Sequence, residues 1–520
     1  MNCLMNISDA VATHARLTPN KIGARDSVRS LTFAAWHERA TQLANGLLAL
    51  GLTKGDRVAL LAYNRVEWME MYAGLARAGL VAVPLNFRLM TAEIDYILGH
   101  SGAVAMIVQD ELIERVEPLR AKLNLPSKVF IALGEAIGGW TSYEQILATA
   151  PLNEPPVSVL PSDMSALMYT SGTTGRPKGA VRSHEGSSLI ALATALEMGF
   201  KAEDSALLVM PMCHANSLYF SHTFTQLGAT CVIDDRKSFD PETLLATLSA
   251  ERITFTSLVP THYIMMLGLP AEVKAKYDVS AVEKLMISSA PARKDTKLAI
   301  LSFFKNGKLY ELYGSTEAGW VTLLRPHEQI DRLGSVGREW AGSGAIKLLN
   351  SEGQEVQDGE VGELFSKTPY VFDGYWNDPE KTKEAFAGQW CSVGDMALRD
   401  QDGFIHLVDR KSNMIISGGE NIYPSEVEGV LGAHEKVKDV AVLGVPHDKW
   451  GEAVHAFVVL HHEVEASEEE LITWCKTRMA GYKRPQTIAF IQDEEMPRTA
   501  TGKILHRVLR QSILQGTQKP

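Results

Sequence analysis

The chain has 520 residues, 45% hydrophobic and 22% charged, which is ordinary globular material and enough for about three domain-sized units. Its 51 Lys and Arg are outnumbered by 62 Asp and Glu, and a net charge of −11 gives no electrostatic ground for binding along nucleic acid or an anionic membrane. The five cysteines, Cys3, Cys213, Cys231, Cys391 and Cys475, are odd in number, far apart and without a C-x-x-C pair, so neither a disulfide framework nor a zinc site is indicated and a reducing cytoplasm fits.

The N-terminus lacks the basic, apolar, small-residue series of a secretory signal. The most apolar stretch, Met71 to Leu85, is broken by Arg77 and Pro84, so no integral membrane segment is expected and the protein reads as soluble. From Phe33 to Leu50, Trp36, Ala40, Leu43 and Leu47 stand at helical spacing, with Gly51 where a helix would stop. Val58 to Ala62 and Val81 to Pro84 read as buried strands around a helix near Trp68 to Ala78. Further strands are expected at Met106 to Gln109, Leu207 to Met210, Thr230 to Asp234, Thr254 to Leu258 and Lys284 to Ser288, a rhythm that argues for layered α/β architecture with mostly parallel sheets.

After about Val361 the texture changes to short strand-like runs, Gly362 to Ser366 and Gly403 to Val408, which suggests a small β-rich subdomain. Beyond Arg410, strands at Val440 to Val445, Val454 to Leu460 and Thr487 to Ile491 alternate with helices at Glu468 to Met479 and Ile504 to Leu514, a compact α+β unit. The boundaries read 1–409 for an N-terminal domain, with the β-rich subdomain at about 335–409, then a hinge at 410–413 and a C-terminal domain at 414–520.

Thr170-Ser171-Gly172-Thr173-Thr174-Gly175-Arg176-Pro177-Lys178-Gly179 follows the apolar run Ala166 to Tyr169. Glycines let backbone N–H groups turn inward as an anion-binding concavity, hydroxyls donate to phosphate oxygens, and Arg176 or Lys178 supplies charge. It is not a Walker loop, since no Gly-Lys-Ser/Thr closes it. By composition alone the stretch reads more readily as a surface turn than as a phosphate cradle. Its order resembles the signature loop of the adenylate-forming superfamily, in particular the acyl-CoA synthetases, and the resemblance runs from Leu31 to about Arg510.

The resemblance implies a large layered αβαβα N-terminal domain with the β-rich subdomain, plus a compact, mobile α+β C-terminal domain. It also assigns roles. Thr170, Ser171, Gly172, Thr173, Thr174, Gly175 and Lys178 are expected on the ATP phosphates. Pro211-Met212-Cys213-His214 resembles the pocket motif whose His lies near the substrate carboxylate. Ser288-Ser289-Ala290-Pro291 resembles the loop that receives adenine, with Ser288 and Ser289 where glycine is common. In Tyr310 to Gly319, Tyr313 is expected at the adenine face, Gly314, Ser315 and Thr316 beside the nucleotide, and Glu317 on Mg²⁺, a hard ion that joins one or two carboxylates to substrate phosphates.

Trp390-Cys391-Ser392-Val393-Gly394-Asp395 and Asp409-Arg410 resemble the segments whose Asp395 and Arg410 hold the ribose. Ser417-Gly418-Gly419-Glu420 resembles the segment beside the pantetheine of coenzyme A, with Lys483 in a further familiar piece, Tyr482-Lys483-Arg484-Pro485. In Pro497-Arg498-Thr499-Ala500-Thr501-Gly502-Lys503, Lys503 is the proposed catalytic lysine. The hinge position, commonly Asp or Lys, is Ser412 here.

The implied reaction has two steps. A carboxylic acid, with a pKa near ~4, is already ionised and attacks the ATP α-phosphorus without a general base; the barrier is electrostatic, and positioned cations lower it. A thiol then displaces AMP, with Lys503 leaving and Gly418 and Gly419 arriving as the small domain rotates. The expected participants are ATP, Mg²⁺, coenzyme A and a small-molecule carboxylic acid, and the oligomeric state is open, a homodimer included. The alternatives are an adenylating enzyme that delivers to a carrier-protein thiol or another acceptor and a non-catalytic nucleotide-binding protein. His214, Asn216, Ser217, Tyr219 and Trp320 mark the acyl pocket; no Arg or Lys stands in those segments, which disfavours a second carboxylate on the substrate.

Overall fold

The computed structural model describes residues 6–123, 125–126, 129–134, 138–170, 177–289, 292–417, 420–476, 478–499, 502 and 504–515. It divides into two compact units, one of residues 1–345 with 366–391 and one of 346–365 with 392–520.

In the first unit the helix Phe33–Ala49 forms where the sequence predicts it. The Thr32 hydroxyl accepts from the Ala35 amide at its start, and Trp36, Ala40, Leu43 and Leu47 are all buried. Strand Arg57–Leu61 shows why the adjacent runs are apolar throughout. Val58 and Leu60 enter one core while Ala59 and Leu61 enter another, so the period-two alternation buries both faces.

Two large sheets form in this unit among the described residues. In one, Ile22–Arg25, Thr230–Ile233, Ser205–Leu208, Phe255–Leu258, Lys284–Ser288 and Lys308–Ser315 run parallel, with Gly319–Leu324 and Arg338–Glu339 added antiparallel at one edge. In the other, Met164–Thr170, Val81–Leu85, Arg57–Leu61, Ala105–Val108, Phe130–Ala132 and Thr141–Ser142 are parallel, with Lys178–Ser183 and Gly374–Tyr375 antiparallel.

The largest core joins Leu60 and Ala82 of the second sheet to Leu208 and Phe255 of the first through Trp36, Leu75, Ile190 and Phe224 on helices between them. A second core packs Ile94, Ile97 and Val116 on the far face of one sheet, and a third packs Leu245, Tyr263 and Ile300 on the far face of the other. These are the five αβαβα layers, and the mostly parallel topology places the strand C-termini, where backbone and loops converge, at the sites of interest.

In the second unit, Val361–Glu363 pairs with Met396–Leu398 of the hairpin Asp395–Arg399 and Ile405–Arg410. A further sheet contains Glu420–Ile422, Ile415–Ser417, Gly451–Leu460, Val437–His447 and Thr487–Phe490. Val442, Val454 and Val458 pack toward Val427 and Leu471 on one face, while Leu443 and Phe457 pack toward Leu509 on the other. The strand expected at Val440 to Val445 is longer, Val437–His447, because it is in register with Gly451–Leu460 along its whole length.

Candidate active site

Strand Met164–Thr170 ends at Thr170, whose register partner is Lys178, the first residue of Lys178–Ser183. The connecting Ser171, Gly172, Thr173, Thr174 and Gly175 lie outside the described residues. Gly374–Tyr375 pairs with Ala180 and Val181, which brings the Tyr375 ring to 4.8 Å from the Lys178 ammonium.

Thr170 and Tyr375 meet on Glu317. The Thr170 hydroxyl donates to Glu317 Oε1 at 3.1 Å and the Tyr375 hydroxyl to the same oxygen at 3.0 Å, while the side chain is 7% exposed. No hydrogen bond to Oε2 exists among the described residues. Such a carboxylate, oriented through one oxygen with the other free of donors among the described residues, suits a hard cation that also meets phosphates.

Glu317 sits in the turn between Lys308–Ser315 and Gly319–Leu324. There the Ser315 hydroxyl accepts from the Ala318 amide at 2.9 Å, and Gly319 takes φ +71°. Gly314 has no room for a side chain, because a Cβ there would lie 2.3 Å from the Gly319 carbonyl oxygen. Tyr313, Ser315 and Thr316 are half-buried on the same hairpin. Ser289, after Lys284–Ser288, has φ +69°, the conformation for which glycine is the usual residue, as the family pattern of this loop implies. Ala290 and Pro291 lie outside the described residues.

His214 is the N-cap of helix Ala215–Leu227. Its Nε2 lies 3.4 Å from Asn86 Nδ2, and burial, with Arg88 nearby, pushes its pKa down to about 4. It is therefore a neutral imidazole at physiological pH. Asn64 was not apparent from the sequence, yet it fixes this segment: its amide donates to the Met210 carbonyl at 3.1 Å and accepts from the Met212 amide at 2.8 Å. The available signal was its place just beyond the C-terminus of parallel strand Arg57–Leu61. The Cys213 thiol, pushed up to about 12 by burial, is packing and not a nucleophile.

Of the expected pocket residues, Asn216 donates to the hydroxyls of Ser257 at 3.0 Å and Ser288 at 2.9 Å, joining the pocket helix to the ends of two strands. Ser217 instead donates to the Met210 carbonyl, and the Trp320 indole donates to Thr194 Oγ1. Tyr219 and Trp320 meet edge to face, with ring centroids 5.3 Å apart. No Arg or Lys stands within these segments, but packing brings one beside them: Arg182, from the strand after the glycine loop, lies over the Tyr219 ring at 5.3 Å. Sequence distance hid it, since residues 182 and 219 meet only through packing of a strand against a helix.

In the second unit, Asp395 and Arg410 are register partners, with Arg410 Nε 3.0 Å from Asp395 Oδ1. Asp409 accepts from the Ser425 amide at 2.8 Å and from Asn413 at 3.2 Å, bracketing Ser412, which is exposed. Ser417 and Glu420 face each other across the hairpin, with Gly418 and Gly419 outside the described residues. Lys483 forms an ion pair with Glu426 at 2.7 Å, and that bond raises its pKa. Lys503 lies outside the described residues; beside it, Gly502 has φ +82° and its amide donates to the Thr499 carbonyl.

A layered α/β unit whose carboxylate is anchored by the hydroxyl that ends strand Met164–Thr170, together with an α+β unit, is the make-up of a nucleotide-dependent adenylating enzyme, and the comparisons with known proteins agree. A family described as AMP-binding enzyme matches residues 11–376, and its C-terminal domain matches residues 426–503. A feruloyl-CoA synthase of Amycolatopsis sp is 37% identical over 95% of this chain and 96% of its own length. A long-chain-fatty-acid–CoA ligase, FadD13, of Mycobacterium tuberculosis is 34% identical over 92% of this chain and 93% of its own length. The O-succinylbenzoate coenzyme A synthetase of Bacillus subtilis, solved with ATP and a magnesium ion, superposes with a TM-score of 0.83 at 28% identity, covering 96% of this chain and 98% of that one. The chain belongs to the AMP-binding enzyme family and, within it, to the AMP-forming acid–CoA ligases. Among the described residues, no helix is long and apolar enough to cross a membrane.

Proposed function

We propose that this chain joins a small carboxylic acid to coenzyme A through an acyl-adenylate, with these residues in the roles that follow. The observation that carries the assignment is Glu317, buried and gripped on one oxygen by Tyr375 and by Thr170, the last residue of strand Met164–Thr170.

Glu317 fits Mg²⁺, which when bound offsets charge on the β- and γ-phosphates. Thr170 to Lys178 hold those phosphates with amides, hydroxyls and the Lys178 ammonium. The acid needs no base, so the protein's task is to align two anions and neutralise the charge that develops. Neutral His214 suits this, since it can donate a hydrogen bond to the substrate carboxylate without adding a proton to it. Lys503 is assigned to the reacting centre, Tyr313 and Ser289 to Pro291 to adenine, and Asp395 with Arg410 to the ribose. Gly418, Gly419, Glu420 and Lys483 are assigned to coenzyme A, and Ser412 to the hinge.

In the second step the thiol, with a pKa of about 8.5, loses its proton and displaces AMP. The aromatic pair Tyr219 and Trp320, and the name of the feruloyl-CoA relative, put aromatic acids first in a substrate panel and long-chain acids second.

The test is ATP–pyrophosphate exchange across that panel, followed by AMP release with and without coenzyme A, in the wild type and Glu317→Gln. At least one acid is expected to support exchange, with AMP release dependent on coenzyme A and a fall of about 10²-fold or more in the variant. A panel that yields no AMP from the unmodified protein would sink the reading.

A further inference from the structure

We propose that Arg182 is a positioning residue that holds Glu317 in its metal-binding posture; the proposal rests on the reading of Glu317 as the Mg²⁺ carboxylate. Arg182 stands three residues beyond the glycine-rich loop motif and in none of the short motifs quoted above. It stands in strand Lys178–Ser183, 1% exposed, and no carboxylate lies within ion-pair distance of it among the described residues.

A buried guanidinium with no carboxylate in ion-pair distance among the described residues is costly, since the Asp373 carboxylate acts on it only from farther off, and an apolar side chain of similar volume would fill the space without that penalty. What distinguishes Arg is the fork. One terminal nitrogen, Nη1, donates to the carbonyl of Thr316 at 3.4 Å and to that of Glu317 at 3.3 Å, and Nη2 donates to the carbonyl of Tyr370 at 2.7 Å. The two targets are not equivalent in sequence, but they converge on one side chain.

The first target is the backbone of Glu317 itself, whose carbonyl also accepts from the Phe372 amide at 2.7 Å. The second is the segment from Tyr370 that leads to Tyr375, whose hydroxyl grips the Glu317 carboxylate at 3.0 Å. Arg182 therefore fixes Glu317 from both ends, its backbone directly and its carboxylate through the segment that carries Tyr375. The guanidinium also lies over the Tyr219 ring, 5.3 Å from its centroid. Groups of this kind, which touch a metal ligand and not the metal, tune affinity by about 10- to 100-fold.

Charge and geometry predict opposite signs. If Arg182 acted only as a positive charge, its removal would tighten binding of a divalent cation near Glu317. If it acts as a clamp, its removal loosens binding, and Lys, which keeps the charge but cannot span the carbonyls, loosens it too.

The experiment compares Arg182→Met, Arg182→Lys and Glu317→Gln with wild type. One readout is the magnesium-dependent thermal upshift in the presence of a non-hydrolysable ATP analogue, titrated in free Mg²⁺. The other is the split between pyrophosphate exchange and thioester formation from a supplied acyl-adenylate. Expected are a rise in the Mg²⁺ midpoint of about 10-fold in Arg182→Met and about threefold in Arg182→Lys, with exchange impaired and thioester formation by the folded protein within about twofold of wild type. A purely structural role would depress both half-reactions together and leave the midpoint in place, which overturns the proposal.

A tighter midpoint in Arg182→Met with no change in Arg182→Lys also overturns it. Should Arg182→Met not fold, the Arg182→Lys midpoint decides alone. An unchanged Mg²⁺ midpoint in Glu317→Gln removes the metal-ligand reading, and this proposal with it. A shifted Glu317→Gln beside two unmoved Arg182 variants overturns the Arg182 proposal by itself.

Discussion

Gly314→Ala adds a single methyl group to the hairpin that carries Glu317. Its Cβ would sit 2.3 Å from the Gly319 carbonyl oxygen and 3.2 Å from the Trp320 Cα, all backbone atoms that cannot swing aside. The shortfall against ordinary contact, which begins at 3.4 Å, is about 1.1 Å, so the two strands must part by about that distance beside the turn. Gly314 pairs with Trp320 and Ser315 with Gly319, so the opening falls directly on the residues flanking Thr316 and Glu317. Overpacking of this kind costs about 1–3 kcal/mol, which a chain of this size survives folded. A displacement of about 1 Å in a positioned group costs about 10²-fold in rate. Gly314→Ala is therefore expected to remain folded by circular dichroism while pyrophosphate exchange falls about 10²-fold. Exchange within about threefold of wild type would refute the argument that the turn's backbone spacing sets the Glu317 geometry.

Lys503→Ala is expected to lose adenylation by about 10²-fold or more while still making thioester from a supplied acyl-adenylate; exchange at the wild-type rate would remove Lys503 from the first step. Ser289→Gly relieves a left-handed conformation at φ +69° and should raise stability by up to about 1 kcal/mol in urea titration; a loss would show that the Ser289 side chain is needed there. His184 and His214, held near pKa 4 by burial, and His222, held near 3, stay neutral when folded but protonate near ~6.5 when unfolded. The unfolded state thus binds more protons below about pH 6.5, and stability should fall as pH drops toward 4, by up to about 1.4 kcal/mol per unit for each histidine. Denaturation midpoints that stay flat between about pH 6.5 and 5 would refute this.

The layered α/β class was legible because its signal is local and periodic. Trp36, Ala40, Leu43 and Leu47 recur at helical spacing, and the apolar runs at Arg57–Leu61 and Val81–Leu85 are too short for helices and buried on both faces. Strand ends were less legible: nothing local in Val437 or His447 says that pairing with Gly451–Leu460 will extend that far. The loop from Thr170 to Gly179 was ambiguous by composition and gained meaning from its order.

What the sequence by itself determined is the family and the chemistry class, and it singled out Glu317 as the candidate carboxylate, because these are written in contiguous residues whose order survives without coordinates. What only the tertiary structure decided is how that carboxylate is held. Thr170, Tyr375 and Arg182 are 147, 58 and 135 residues from Glu317, and the strand pairings that join them carry no mark in the local sequence. Nor could it say that His214 is neutral or that Asn64 steadies its segment, since burial and long-range hydrogen bonding arise from the packed layers and not from neighbours in the chain.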